Sequence, residues 1–209
     1  MKRRDFLRVT LVGGAAAAVA PLDLWGKGTG KSGFTLWQLP SQVDTIGNSF
    51  VFLTDKGRVV VMDGGMNDET LFLRGFIAAL GNEVEAWFTS HPHNDHVGAL
   101  TKILQKPDGM KINKVYHSRF SDSLLSCEAP YQQYARDYYE ALDKSGIEVA
   151  NQTEPGLTGQ IDGLNFKILG VTNEEFRTNP YNNSSMIIRV WDKAKSLVFL
   201  GDAGVECGN

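Results

Sequence analysis

Cysteine is nearly absent from this sequence, histidine is scarce, and positive charge is not in excess. The two cysteines, Cys127 and Cys207, stand far apart and outside any CxxC pair. That excludes a thiolate metal site and a multi-bridge disulfide framework, although an oxidising compartment would still permit one bridge between them. The 21 lysines and arginines are outnumbered by 24 aspartates and glutamates, for a formal net charge of −3. No basic stripe is available to neutralise a series of phosphates, which argues against nucleic-acid binding by charge alone. Internal repeats and low-complexity linkers are also missing. What is there, 42% hydrophobic and 22% charged residues over 209 positions, is the composition of a globular domain, with one domain as the default.

The first residues read MKRRDFLRVTLVGGAAAAVA. A basic start leads into a Gly/Ala-rich apolar run of about a dozen residues, too short to span a bilayer as a helix. The order Arg3, Arg4, Asp5, Phe6, Leu7, Arg8 resembles a twin-arginine export signal, and the weak hydrophobicity of Gly13 to Ala18 suits that route. An ordinary n-region with two arginines is the alternative. The expected organisation is an export signal and linker over 1–30, handed to export machinery, and one domain over 31–209 delivered to a bacterial periplasm. No transmembrane segment is expected in the mature chain.

Residues 34–39, 50–54 and 58–62 are short β-rich runs separated by turn signals, which predicts an opening β-meander. From Asn67 the period changes: Leu71, Phe72, Phe76, Ile77 and Leu80 share a helical face, and Gly81 stands as its C-terminal cap. Strands are predicted over 84–89 and 114–116, and helices over 96–105 and 131–144. After Pro155-Gly156, strands return over 166–169, 186–191 and 196–200. This order fits sheets sandwiched between helices.

The run Ser90-His91-Pro92-His93-Asn94-Asp95-His96 follows an apolar strand and opens a helix, so three imidazoles and a carboxylate gather at one strand end. Such a loop is costly unless something binds it. Imidazole and carboxylate are the donors that zinc and similar divalent ions prefer, and HxH spacing lets two rings meet one ion while Asp95 and His96 turn to a second.

HxHxDH resembles the motif of the metallo-β-lactamase superfamily, and two further stretches match in order: Asp63-Gly64-Gly65 after a strand and Gly201-Asp202-Ala203 after the apolar 197–200. The resemblance covers nearly the whole mature chain and implies an α/β fold, the four-layer αβ/βα sandwich. It also implies two divalent ions, zinc first with manganese or iron as alternatives. His91 and His93 would hold one, Asp95 and His96 the other, and Asp202 would bridge them. Asp95 and Asp63 take the catalytic assignments, Asp63 by orienting the ligands from behind. The reaction implied is hydrolysis by a hydroxide formed between the metals.

The chain departs from the family in its histidines. A third histidine for the first metal and a last one beyond the GD motif are expected, yet the only other histidine is His117. His117 stands either at the rim of the site or as an ordinary strand-end residue. Where relatives carry the third histidine this chain reads Tyr181-Asn182-Asn183-Ser184-Ser185, closer to the ComEC-like branch, which makes a phosphoester the first expectation for substrate. β-Lactam, lactone and thioester stay open. The stretch after Asp202 is short, so the sandwich is expected to be partial at its C-terminus. The alternative function is a catalytically silent metal-binding or interaction protein.

Overall fold

The computed structural model describes residues 31–208, and the export-type segment expected over 1–30 lies outside them. Strands β1 (Phe34–Gln38), β2 (Ser49–Thr54) and β3 (Val59–Asp63) form the antiparallel meander. The chain then crosses over through α1 (Thr70–Ala79) to β4 (Glu83–Phe88) and through α2 (Asn94–Gln105) to the short β5 (Lys111–Ile112) and β6 (Lys114–His117). Helices α3 (Asp122–Leu125) and α4 (Gln132–Lys144) lead to β7 (Glu148–Asn151). The order in this first sheet is β1-β2-β3-β4-β6-β7, with β5 also on β4, and every pair from β3 onward is parallel. The second sheet is antiparallel, β11-β10-β9-β8, built from β8 (Thr158–Ile161), β9 (Leu164–Gly170), β10 (Ile187–Trp191) and β11 (Ser196–Phe199). A single turn of helix, α5 (Pro180–Asn183), precedes β10.

Two cores explain the layering. Val59 and Val61 of β3 face α1, α2 and α4 with Leu73, Ile77, Trp87, Leu100 and Leu142. Val60 and Met62 face the second sheet with Phe88, Phe166, Ile168 and Ile188. β3 is therefore buried on both faces and reads as an unbroken apolar run, the signature of a central strand in a covered sheet. Each such side chain contributes about 1.5–3 kcal/mol on burial. The layers run helices, sheet, sheet, as the α/β sandwich expects. The outer face of the second sheet, with Lys167, Leu169, Arg189 and Val198 exposed, is open among the described residues.

Two details differ from expectation. α1 buries Leu73 and Ile77, four apart, while Leu71 is 83% exposed; the stripe lies one step round from the predicted face. α2 starts two residues early, with His93 as its N-cap, so Asp95 and His96 belong to its first turn.

Candidate metal centre

Parallel strands deliver their C-terminal ends to one edge of the sheet, where ligand sites of open α/β folds form. Asp63 ends β3, the Ser90–His93 loop follows β4, and His117 ends β6. Asp63 turns the chain there with φ +55°, a left-handed conformation that Asp tolerates better than most residues. Its carbonyl is held by the indole N–H of the fully buried Trp87 at 3.1 Å. Next, Gly64 N donates to the His96 carbonyl at 2.6 Å and Ala99 N to the Gly65 carbonyl at 3.1 Å, so the DGG loop lies against the first turns of α2. Gly98 permits the approach: a Cβ there would sit 2.6 Å from Asn67 N.

The Gly201-Asp202 turn arrives from the second sheet. Gly201 has φ +57°, and a Cβ on it would lie 2.6 Å from the Ser90 Cβ. Met186 N donates to the Ser90 carbonyl at 2.7 Å, tying β10 to the histidine loop. Both sheets thus contribute to one cluster.

Hydrogen bonds behind the rings set which nitrogens face inward. Ser185 Oγ donates to the Asn182 carbonyl at 2.7 Å, so toward His91 Nδ1, 3.2 Å away, it accepts. Ser90 Oγ is likewise committed to Asp63, 2.9 Å from Oδ2, and stands 3.1 Å from His91 Nδ1. His91 carries its proton on Nδ1 and presents a bare Nε2. His93 Nε2 donates to Glu128 Oε2 at 3.0 Å, which leaves Nδ1 bare, and it is this Nδ1 that faces His91 Nε2 at 3.0 Å. His96 Nδ1 donates to Asp63 Oδ2 at 2.9 Å. Its Nε2 lies 3.2 Å from Asp202 Oδ1 and 3.7 Å from Asp95 Oδ2.

Two lone pairs pointing at each other across 3.0 Å repel, and a cation between them reverses the sign. Two nitrogens at about 2.0–2.1 Å from one tetrahedral ion stand about 3.3 Å apart, close to the spacing found. One donor atom from each of His91, His96 and Asp202 also lies within 4.8 Å of the others, a group that could hold a metal ion. The donor set fits divalent metals, and the partners on the far side of each ring are those that orient metal-binding histidines.

Electrostatics agree. Burial, reinforced by the neighbouring His96 and His93 rings, holds His91 well below the ordinary histidine value, so it is neutral. Burial also opposes charge on His96, but Asp63, Asp202 and Asp95 outweigh it and raise its pKa to about 10. The hydrogen bond from His96 in turn lowers Asp202, against a smaller opposing effect of burial. One half of the cluster is a bare-nitrogen pair, and the other concentrates carboxylates that favour a positive charge.

All five expected ligands, His91, His93, Asp95, His96 and Asp202, meet here with Asp63 behind them. His117 does not join them: it is buried, and its ring meets Tyr138 and Tyr139 of α4. Glu128 was not foreseen. It lies in a short 3-10 turn (Ser126–Glu128) and has no local signature, since its partner is 35 residues away; its Oε1 also accepts from Tyr181 N at 2.9 Å. Tyr181 stacks on His93 at 5.1 Å between centroids and Tyr131 packs at 4.6 Å, forming aromatic walls that the sequence pattern did not distinguish from core.

No curated protein sequence matches the chain. Among solved structures it is similar to a metallo-β-lactamase with a HARLDQ motif from Cronobacter sakazakii, at 14% identity and TM-score 0.47, over 73% of this chain and 54% of that one. It is similar to the metallo-β-lactamase fold protein YhfI from Bacillus subtilis, at 15% identity and TM-score 0.48, over 79% and 61%. A third is BJP-1, a subclass B3 metallo-β-lactamase of Bradyrhizobium japonicum, at 16% identity and TM-score 0.45, over 72% and 53%. The chain thus spans somewhat more than half the length of these proteins. The family model of the metallo-β-lactamase superfamily matches residues 43–209, and the chain belongs to that superfamily.

Proposed function

We propose that the chain is a metal-dependent hydrolase with two divalent-cation sites, one on His91 and His93, the other on Asp95 and His96, with Asp202 between them. The observation that carries this reading is the pair of inward-facing bare nitrogens on His91 and His93, fixed from behind by Ser185 and Glu128, beside a His96 ring that Asp63 orients toward Asp202. When bound, such ions would supply Lewis-acid polarisation of the substrate and a lowered pKa for water.

The protein's own residues do the rest. Asp63 fixes His96 by accepting its Nδ1–H, and Glu128 does the same for His93 through Nε2–H. Asp95, in the first turn of α2, offers a carboxylate at the centre to take up the proton released as water attacks. Tyr131, 41% exposed beside His93, gives an incoming substrate an aromatic surface. For substrate we propose a phosphoester, supported by the Asn-Asn-Ser-Ser sequence at 182–185. Zinc is the first choice of metal, and the twin-arginine-like start supports export to the periplasm.

Metal content after purification, followed by a panel of phosphodiester, carboxylic ester, lactone and β-lactam substrates, tests the reading. Metal-dependent turnover of a phosphodiester is the expected result. Bound metal with no turnover on any of them would leave a silent metal-binding protein instead.

A further inference from the structure

Among the described residues three buried side-chain polar atoms lack a hydrogen-bond partner: Ser49 Oγ, His117 Nδ1 and Asn182 Oδ1. A buried amide oxygen that no donor reaches is destabilising, so Asn182 needs a reason. Its carboxamide lies close enough to the His91 ring for a weak attraction but outside the geometry of a proper hydrogen bond, so the orphaned oxygen belongs to a side chain at the metal cluster itself.

The segment that carries it is held firmly to both histidines of the first site. On one side Tyr181 stacks on His93 and its backbone N–H is taken by Glu128, the carboxylate that fixes His93. On the other, Ser185 Oγ accepts from His91 Nδ1 while donating to the Asn182 carbonyl. Pro180 opens α5 after Asn179, which sits at φ +41°, a left-handed turn that aims this short helix at the cluster. Asn182 therefore lies between the residues that grip His93 and His91.

We propose that Asn182 is a metal ligand, its side-chain oxygen joining His91 Nε2 and His93 Nδ1 on the first cation. The amide oxygen is a neutral hard donor with lone pairs and no proton to lose, a ligand type that divalent ions accept. It supplies the third protein donor where the chain has no histidine to offer. This inference rests on the two-site reading above.

The full chain is stripped with a chelator and titrated with Co(II), following visible absorption and calorimetric stoichiometry for wild type, Asn182→Leu and Asn182→Asp. The leucine keeps the volume without the oxygen; the aspartate keeps the oxygen and adds charge. The expected result is two ions bound by wild type, one of them weakened about tenfold or more in N182L, and that ion bound more tightly than in wild type by N182D. Wild-type binding of both ions by a folded N182L would overturn the assignment of Asn182 alone. If N182L does not fold, an N182D affinity no higher than wild type overturns it equally. A wild-type protein that binds no Co(II) overturns this inference together with the two-site reading.

Discussion

Glu128 decides which nitrogen of His93 can reach a metal. By accepting the Nε2–H at 3.0 Å it leaves Nδ1 as the donor, whereas an amide in its place could present either an acceptor or a donor. Glu128→Gln is expected to weaken metal binding about 10–100-fold, read by competition with a chromophoric chelator, with the far-UV spectrum unchanged. Asp63 acts on His96 in the same way but also collects the Ser90 N–H at 2.7 Å and the Ser90 hydroxyl. Removing its carboxylate leaves buried donors without a partner and takes an opposite charge from beside His96. Asp63→Ala should therefore lose about 3–5 kcal/mol of stability in addition to metal affinity. A urea midpoint close to wild type would show that Asp63 matters less to the fold than its contacts indicate.

At the scale of elements, the site exists because β3, α2 and the DGG loop approach closely, and the approach hinges on a residue without a side chain. A methyl at position 98 meets chiefly backbone, which cannot swing aside, with Asn67 N 2.6 Å and Met66 C 3.0 Å from the Cβ and the Asn67 side-chain oxygen at 2.9 Å. Gly98→Ala should push α2 off the loop at a cost of about 1–3 kcal/mol, seen as a lower denaturant midpoint, and should carry Asp95 and His96 away from Asp202. Much of this was legible in the sequence, because HxHxDH packs its donors into one strand-to-helix junction and the β-rich run at 58–62 reads as a strand of the opening meander. What was not legible depends on distant packing. Leu71 and Leu73 are equally apolar, and only the placement of α1 on the sheet decides that Leu73 is inside. β7 and β8 carry few apolar residues, and backbone pairing to β6 and β9 defines them. Glu128 and Asn182 acquire meaning only when the turns that bear them close over the histidines.

The whole molecule reports both its metal and its acidity through stability. Cations that bind only the folded state stabilise by about 2.7 kcal/mol at a hundredfold excess over Kd, so zinc should raise Tm by roughly 5–11 °C over the chelator-treated protein. Acid acts through His117, which is buried beneath Tyr138 and Tyr139 with its Nδ1 unpartnered. Burial, with help from the positive Arg119 and against a smaller pull from Asp143, lowers its pKa to about 4. In the unfolded chain the ring takes a proton near its ordinary value of about 6.5. Between those two values the unfolded state binds a proton that the folded state refuses, so stability falls as pH drops through this window and is fully retained above it. The loss reaches about 2 kcal/mol by roughly pH 5, or about 4–8 °C in Tm. Other groups contribute to the acid response, among them His91, whose pKa burial also lowers, so the comparison is between chelator-treated wild type and His117→Leu. The leucine variant should lose less Tm between neutral pH and pH 5 by that amount. Parallel Tm profiles for the two proteins would mean that His117 becomes protonated in the fold without cost, through a path for water into the α4 side of the core.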